Sequence, residues 1–71
     1  MSKLEKLAEI EGFETSEDML EEVGFGSVVP GICVNPECDY TDEVEPDQEE
    51  GFCEECKTNT VKSCLVLAGV I

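Results

Sequence analysis

Apolar residues recur along this chain in helical, then alternating, then nearly continuous patterns. Near the start, Leu4, Leu7, Ala8 and Glu11 fall on one helical stripe, with Ile10 beside it. Ser2-Lys3-Leu4-Glu5 has the form of a capping box ahead of that stripe, and Gly12 stands where the helix should stop. Met19, Leu20 and Val23 predict a second short helix, capped at Thr15 or Ser16, with Glu17 and Asp18 in its first turn and Gly24 at its end. Phe13 and Phe25 each follow a terminating glycine and are expected to fold back as core anchors. Gly51-Phe52 repeats that pair beside a later turn and reads the same way. Neither helix is long enough to be stable alone, so both must dock on something.

The rhythm changes after Ser27. Val28, Val29 and Ile32 favour an extended segment, while Pro30 is expected to rule out a regular central ladder position. Tyr40, Asp42 and Val44 alternate with Thr41 and Glu43, as in a solvated strand of a small antiparallel sheet. Glu45-Pro46-Asp47-Gln48-Glu49-Glu50-Gly51 has Pro and Asp early and Gly late, a turn signature. The tail from Thr58 to Ile71 is the most apolar stretch, and periodicity alone leaves it a buried third strand or a helix capped at Thr58 or Thr60. Leu, Ala and Lys tilt the reading slightly to helix. This tail is either the core that the N-terminal helices need or an interface with a second chain, which allows a homodimer through the C-terminal apolar segment.

Two cysteine pairs flank the strand-and-turn region: Cys33-Val-Asn-Pro-Glu-Cys38 and Cys53-Glu-Glu-Cys56, fourteen residues apart. Two sulfurs on each of two tight turns are what a four-thiolate tetrahedral site requires, and zinc is the expected occupant. The first pair is wider than the usual C-x-x-C, but Asn35-Pro36 supplies turn chemistry within it. Knuckle, strand, turn, strand, knuckle is the layout of a zinc ribbon. Iron as in rubredoxin-like carriers is the competing occupant; the width of the first pair, with Asp39 and Lys57 following the two pairs, counts against it. Four cysteines would close the coordination shell, which argues against hydrolysis at the metal. Cys64 is the fifth and spare cysteine, read as a small core residue, with a fifth ligand or reactive thiol as the sharper alternative.

Length sets the need for such a staple. Seventy-one residues bury little, and a bound structural zinc would link about 10–16 kcal/mol of binding free energy to folding. Eighteen acids against four lysines, with no arginine or histidine, give a net charge of −14. That surface repels phosphate backbones, so direct nucleic-acid binding is disfavoured, and the missing His and Arg lower the expectation of catalysis. The acid run from Asp39 to Glu55 reads first as a solvated face and second as a nucleic-acid mimic aimed at a basic groove; no calcium-loop pattern is present. The N-terminus lacks a signal-like apolar core and the tail is too short to span a bilayer, so a cytoplasmic protein with reduced thiols is expected. An odd cysteine count also disfavours a disulfide framework.

Gly31-Ile-Cys-Val-Asn-Pro-Glu-Cys-Asp-Tyr40, Glu45-Pro-Asp-Gln48, Cys53-Glu-Glu-Cys56, the Val61…Ser63…Leu65 tail and the Ser-Lys-Leu-Glu-Lys-Leu start together resemble a family of small acidic zinc-ribbon proteins encoded by bacteria and bacteriophages. The resemblance implies bound zinc with Cys33, Cys38, Cys53 and Cys56 as ligands, and brings no activity with it. The expected fold is a small, single α+β metal-stapled domain: a zinc ribbon over residues 27–60, two short helices within 1–26 and an apolar helix or strand over 61–71. The expected role is a non-enzymatic module that docks on a protein partner. The alternatives are an acidic nucleic-acid-mimicking inhibitor of a nucleic-acid-binding protein or a small iron electron carrier.

Overall fold

The computed structural model describes residues 2–23 and 27–70. The elements run α1 (Lys3–Ile10), α2 (Ser16–Val23), β1 (Val29–Cys33), β2 (Thr41–Val44), β3 (Gly51–Cys53), β4 (Thr58–Ser63) and α3 (Cys64–Leu67). Local chemistry explains both ends of α1. The Glu5 N–H donates to Ser2 Oγ at 3.2 Å, while that hydroxyl reaches the Glu5 carboxylate at 3.3 Å. Gly12 takes φ +91°, which lets Gly12 N–H reach the Glu9 carbonyl and Phe13 N–H reach the Ala8 carbonyl, closing a Schellman motif. Phe13 then packs on the core, as expected of it. Thr15 caps α2, accepting from Asp18 N–H at 3.1 Å. Gly24 and Phe25, expected as stop and anchor, lie outside the described residues.

The sheet is curled and antiparallel, in the order β2-β1-β4-β3. It consists of two hairpins, β1–β2 and β3–β4, joined side by side where Gly31, Ile32 and Cys33 pair with Ser63, Lys62 and Val61. The segment between the knuckles is therefore not a hairpin of its own. β2 and β3 sit on opposite edges, each paired with the strand across its own knuckle. Residues 45–50 cross from one edge to the other. A Glu45–Gln48 turn opens the crossing, and Ser63 tethers it, donating its N–H to the Gln48 carbonyl and its hydroxyl to the Pro46 carbonyl.

Pro30 lies in a central strand after all. Amide direction alternates along β1: Cys33 N–H points to Tyr40 on the β2 side, and Val34 N–H to Thr60 on the β4 side. Counting back, the missing N–H of Pro30 faces the β4 side one position beyond the last β1–β4 pair, where the chain has already turned into α3. No ladder bond is lost. The tail likewise resolves into both alternatives. Thr58–Ser63 is a strand and Cys64–Leu67 a helical turn, with the cap at Ser63, whose Oγ accepts from Val66 N–H at 3.1 Å, and not at Thr58 or Thr60. Gly69, at φ +75°, ends that turn with a second Schellman motif.

One apolar cluster joins the helices to the sheet: Leu7 and Ala8 of α1, Met19 of α2, Val29 and Ile32 of β1, and Cys64 and Leu65 of α3. Leu7, Met19 and Ile32 are fully buried, each worth about 1.5–3 kcal/mol against exposure. The tail thus serves the chain's own core. Phe52 does not anchor anything; it stands 52 % exposed on edge strand β3, because the glycine before it is part of the ladder against Val61 and turns no chain back.

Candidate metal centre

Both hairpin tips point to the same end of the sheet, and each carries one cysteine pair. Cys33 closes β1 and Cys38 lies in the connecting loop, where an Asn35–Cys38 turn, with Pro36 at its second position, takes up the wide spacing. Cys53 closes β3 and Cys56 lies in the tight turn leading to β4. In that turn Cys56 N–H donates to Cys53 Sγ at 3.3 Å and Lys57 N–H to the Cys53 carbonyl at 2.7 Å. The cost falls on Lys57, a non-glycine residue at φ +61°.

The four sulfurs of Cys33, Cys38, Cys53 and Cys56 all lie within 4.8 Å of one another. Across the knuckles, Cys33 Sγ is 3.8 Å from Cys56 Sγ, and Cys38 Sγ is 3.6 Å from Cys53 Sγ. Zn–S bonds of about 2.3 Å at tetrahedral angles place sulfurs about 3.8 Å apart, so these thiols fit a four-coordinate ion with little rearrangement. All five cysteines are free. Cys33 and Cys53 are fully buried, Cys38 nearly so, and Cys56 is half-exposed. Val61, also fully buried, packs beneath them. Neither a protein-family model, a curated protein nor a solved structure matches the chain.

Proton affinities differ across the cluster. Burial raises the Cys33 thiol, but hydrogen bonds from the Thr60 hydroxyl, the Asn35 N–H and the neighbouring thiols bring it down to about 7. For Cys38 the Tyr40 N–H works downward, yet burial and the surrounding thiols push it up to about 12. At Cys56 the Asn35 side chain and Cys38 lower the value, but burial with Cys53 and Cys33 leaves it raised. Four thiols this close share protons: the first thiolate is stabilised by its neighbours' S–H groups and then opposes the next. A divalent cation held by the four sulfurs would relieve that conflict by offsetting part of their charge.

Charge from outside the cluster also bears on it. Lys3 and Lys6, three apart on one face of α1, pair with Asp39 at 3.6 and 3.4 Å, and Lys3 Nζ donates to the Cys38 carbonyl. Half of the chain's four lysines thus sit on the first knuckle. Their i, i+3 spacing was visible along the chain, but a partner 33–36 residues away was not. Cys64 lies apart, fully buried in the helix–sheet core, where burial pushes its thiol up. Among the described residues no helix is long and apolar enough to cross a membrane.

Proposed function

We propose that this chain is a non-enzymatic zinc-ribbon module, with Cys33, Cys38, Cys53 and Cys56 holding one structural Zn²⁺ and the surface serving a protein partner. The observation that carries the metal reading is the packing of four thiols from two hairpin tips within 4.8 Å. Zinc bound there would tie together the tips of two hairpins that are joined along the short β1–β4 ladder. Four sulfur ligands leave no open position for substrate, which favours a structural over a catalytic ion. A reducing cytoplasm would suit such a site, and the resemblance to small acidic zinc-ribbon proteins of bacteria and bacteriophages accords with it. For the partner surface, Val28, Phe52 and Val70 are each more than half exposed, offering apolar contacts amid acids.

A second reading has its own support. Asp42, Glu43, Glu45, Asp47, Glu49 and Glu50 are all exposed along β2 and the crossing segment, as an acidic mimic of a nucleic-acid backbone would need. Such a mimic would lose affinity for a basic target steeply with salt and compete with DNA or RNA, whereas apolar docking would not. Native mass spectrometry of freshly purified protein tests the metal reading. One zinc per chain is expected, kept in Cys64→Ala and lost in Cys53→Ser. Iron, or metal-free protein with paired disulfides, would overturn it.

A further inference from the structure

Among the described residues, Cys33 is the one ligand candidate whose sulfur meets a side-chain hydroxyl at hydrogen-bonding distance. Thr60 Oγ1 lies 3.1 Å from Cys33 Sγ, and Thr58 Oγ1 lies 3.0 Å from Thr60 Oγ1. The two threonines stand two apart on β4, so their side chains leave the same face of the strand. Val34 N–H donates to the Thr60 carbonyl at 2.9 Å, so Thr60 stands one residue past the Cys33–Val61 pair, at the strand end beside the knuckle.

Proton inventory decides the direction of the chain. A thiolate has no hydrogen and can only accept, so Thr60 must donate to Cys33 when the metal is bound. Its free lone pairs then accept from Thr58, whose own exposed position leaves it open to water on the far side. Each donor in the row polarises the next toward the sulfur. Cys33 needs this more than its half-exposed counterpart Cys56, because a fully buried sulfur has no solvent to share its charge. We infer that the Thr58–Thr60 pair is an outer-shell relay that holds the Cys33 thiolate and sets the affinity of the metal centre. The inference rests on the metal reading above and adds two residues to it that the cysteine spacing does not reveal.

Thr60→Val keeps the β-branched shape that suits a strand and removes only the hydroxyl. It should weaken Zn²⁺ binding about tenfold at fixed pH in competition with a chromophoric chelator, the lower end for loss of an outer-shell partner. Thr60→Ser should restore affinity. Thr58→Val should cost less, about two- to threefold, and should add nothing in a Thr60→Val background. Co²⁺ gives a readout that a packing defect would not move. Losing a hydrogen bond raises the sulfur lone-pair energy, so the thiolate-to-cobalt absorption should shift to longer wavelength in Thr60→Val and stay put in Thr60→Ser. Wild-type affinity and spectrum in Thr60→Val, or equal losses in the Val and Ser variants, would overturn the relay while leaving the metal site standing. A wild-type chain that takes up neither Zn²⁺ nor Co²⁺ would overturn the metal reading itself, and the relay with it.

Discussion

Replacing Gly31 with alanine tests whether the two hairpins meet as described. Gly31 lies mid-strand in β1, paired with Asp42 on one side and Ser63 on the other. A Cβ there would stand 2.8 Å from Val44 Cγ2, 2.9 Å from the Lys62 carbonyl oxygen and 3.2 Å from Val61 Cγ1. The Val44 methyl can turn away, but the carbonyl cannot retreat without carrying β4 with it. Overpacking of this kind costs about 1–3 kcal/mol, and the reduced freedom of the unfolded chain offsets about 0.4–1 kcal/mol. The net expectation is a loss of about 1–2 kcal/mol, or a Tm lower by about 5–15 °C in a chain of this size. Since Cys33 closes the same strand and Val61 packs beneath the thiols, prising β1 from β4 also spreads the two knuckles. Zinc affinity should therefore fall about tenfold, following 1.4 kcal/mol per decade. Thermal melts of zinc-loaded protein by circular dichroism, with chelator competition alongside, read both effects. Gly31→Val should do worse than alanine in each. Wild-type melting and affinity in Gly31→Ala would refute the β1–β4 register, and with it the reason the four sulfurs converge.

Two other tests address the site directly. Lys57→Gly should stabilise the loaded protein by up to about 1 kcal/mol, because Lys57 is exposed at φ +61° and the left-handed region costs an L-residue roughly 1–2 kcal/mol; an unchanged or lower melting temperature would show that the second knuckle does not use that conformation. Acid should eject the metal steeply. Cys38, pushed up to about 12, and Cys56, also raised, are both thiols at pH 7 and must each give up a proton on loading. Affinity should then fall on acidification by at least about a hundredfold per pH unit, and more steeply below about pH 7, where Cys33 is also protonated. Chelator titrations between pH 6 and 8 showing about tenfold per unit or less would contradict the proton count.

Much of the candidate site was legible because its signals are short in range. Asn35-Pro36 and Glu54-Glu55 lie inside their own turns, so spacing alone told that each cysteine pair sits on a knuckle. The caps at Ser2 and Thr15 and the stop at Gly12 were equally local, closed by hydrogen bonds over three to five residues. Phe52 misled because a glycine before an aromatic has the same appearance at a helix end and within a ladder; only the pairing of Gly51 with Val61 separates them. Pro30 misled for the opposite reason. Its cost depends on whether a partner strand stands beside it, and β4 ends one residue short.

By itself, the sequence determined a short acidic chain with two short amphipathic helices and four cysteines on two turns. Tertiary structure alone decided which strands meet. That β2 and β3 part to opposite edges, that the tail becomes strand and then helix at Ser63, that Lys3 and Lys6 reach Asp39, and that Thr60 reaches Cys33 are all consequences of long-range pairing. Turns and caps are closed by neighbours in the chain, whose identity can be read. The β1–β4 ladder and the Thr60–Cys33 contact are closed by residues 27–32 positions away, and which of those arrives is settled by the packing of the whole sheet against its helices.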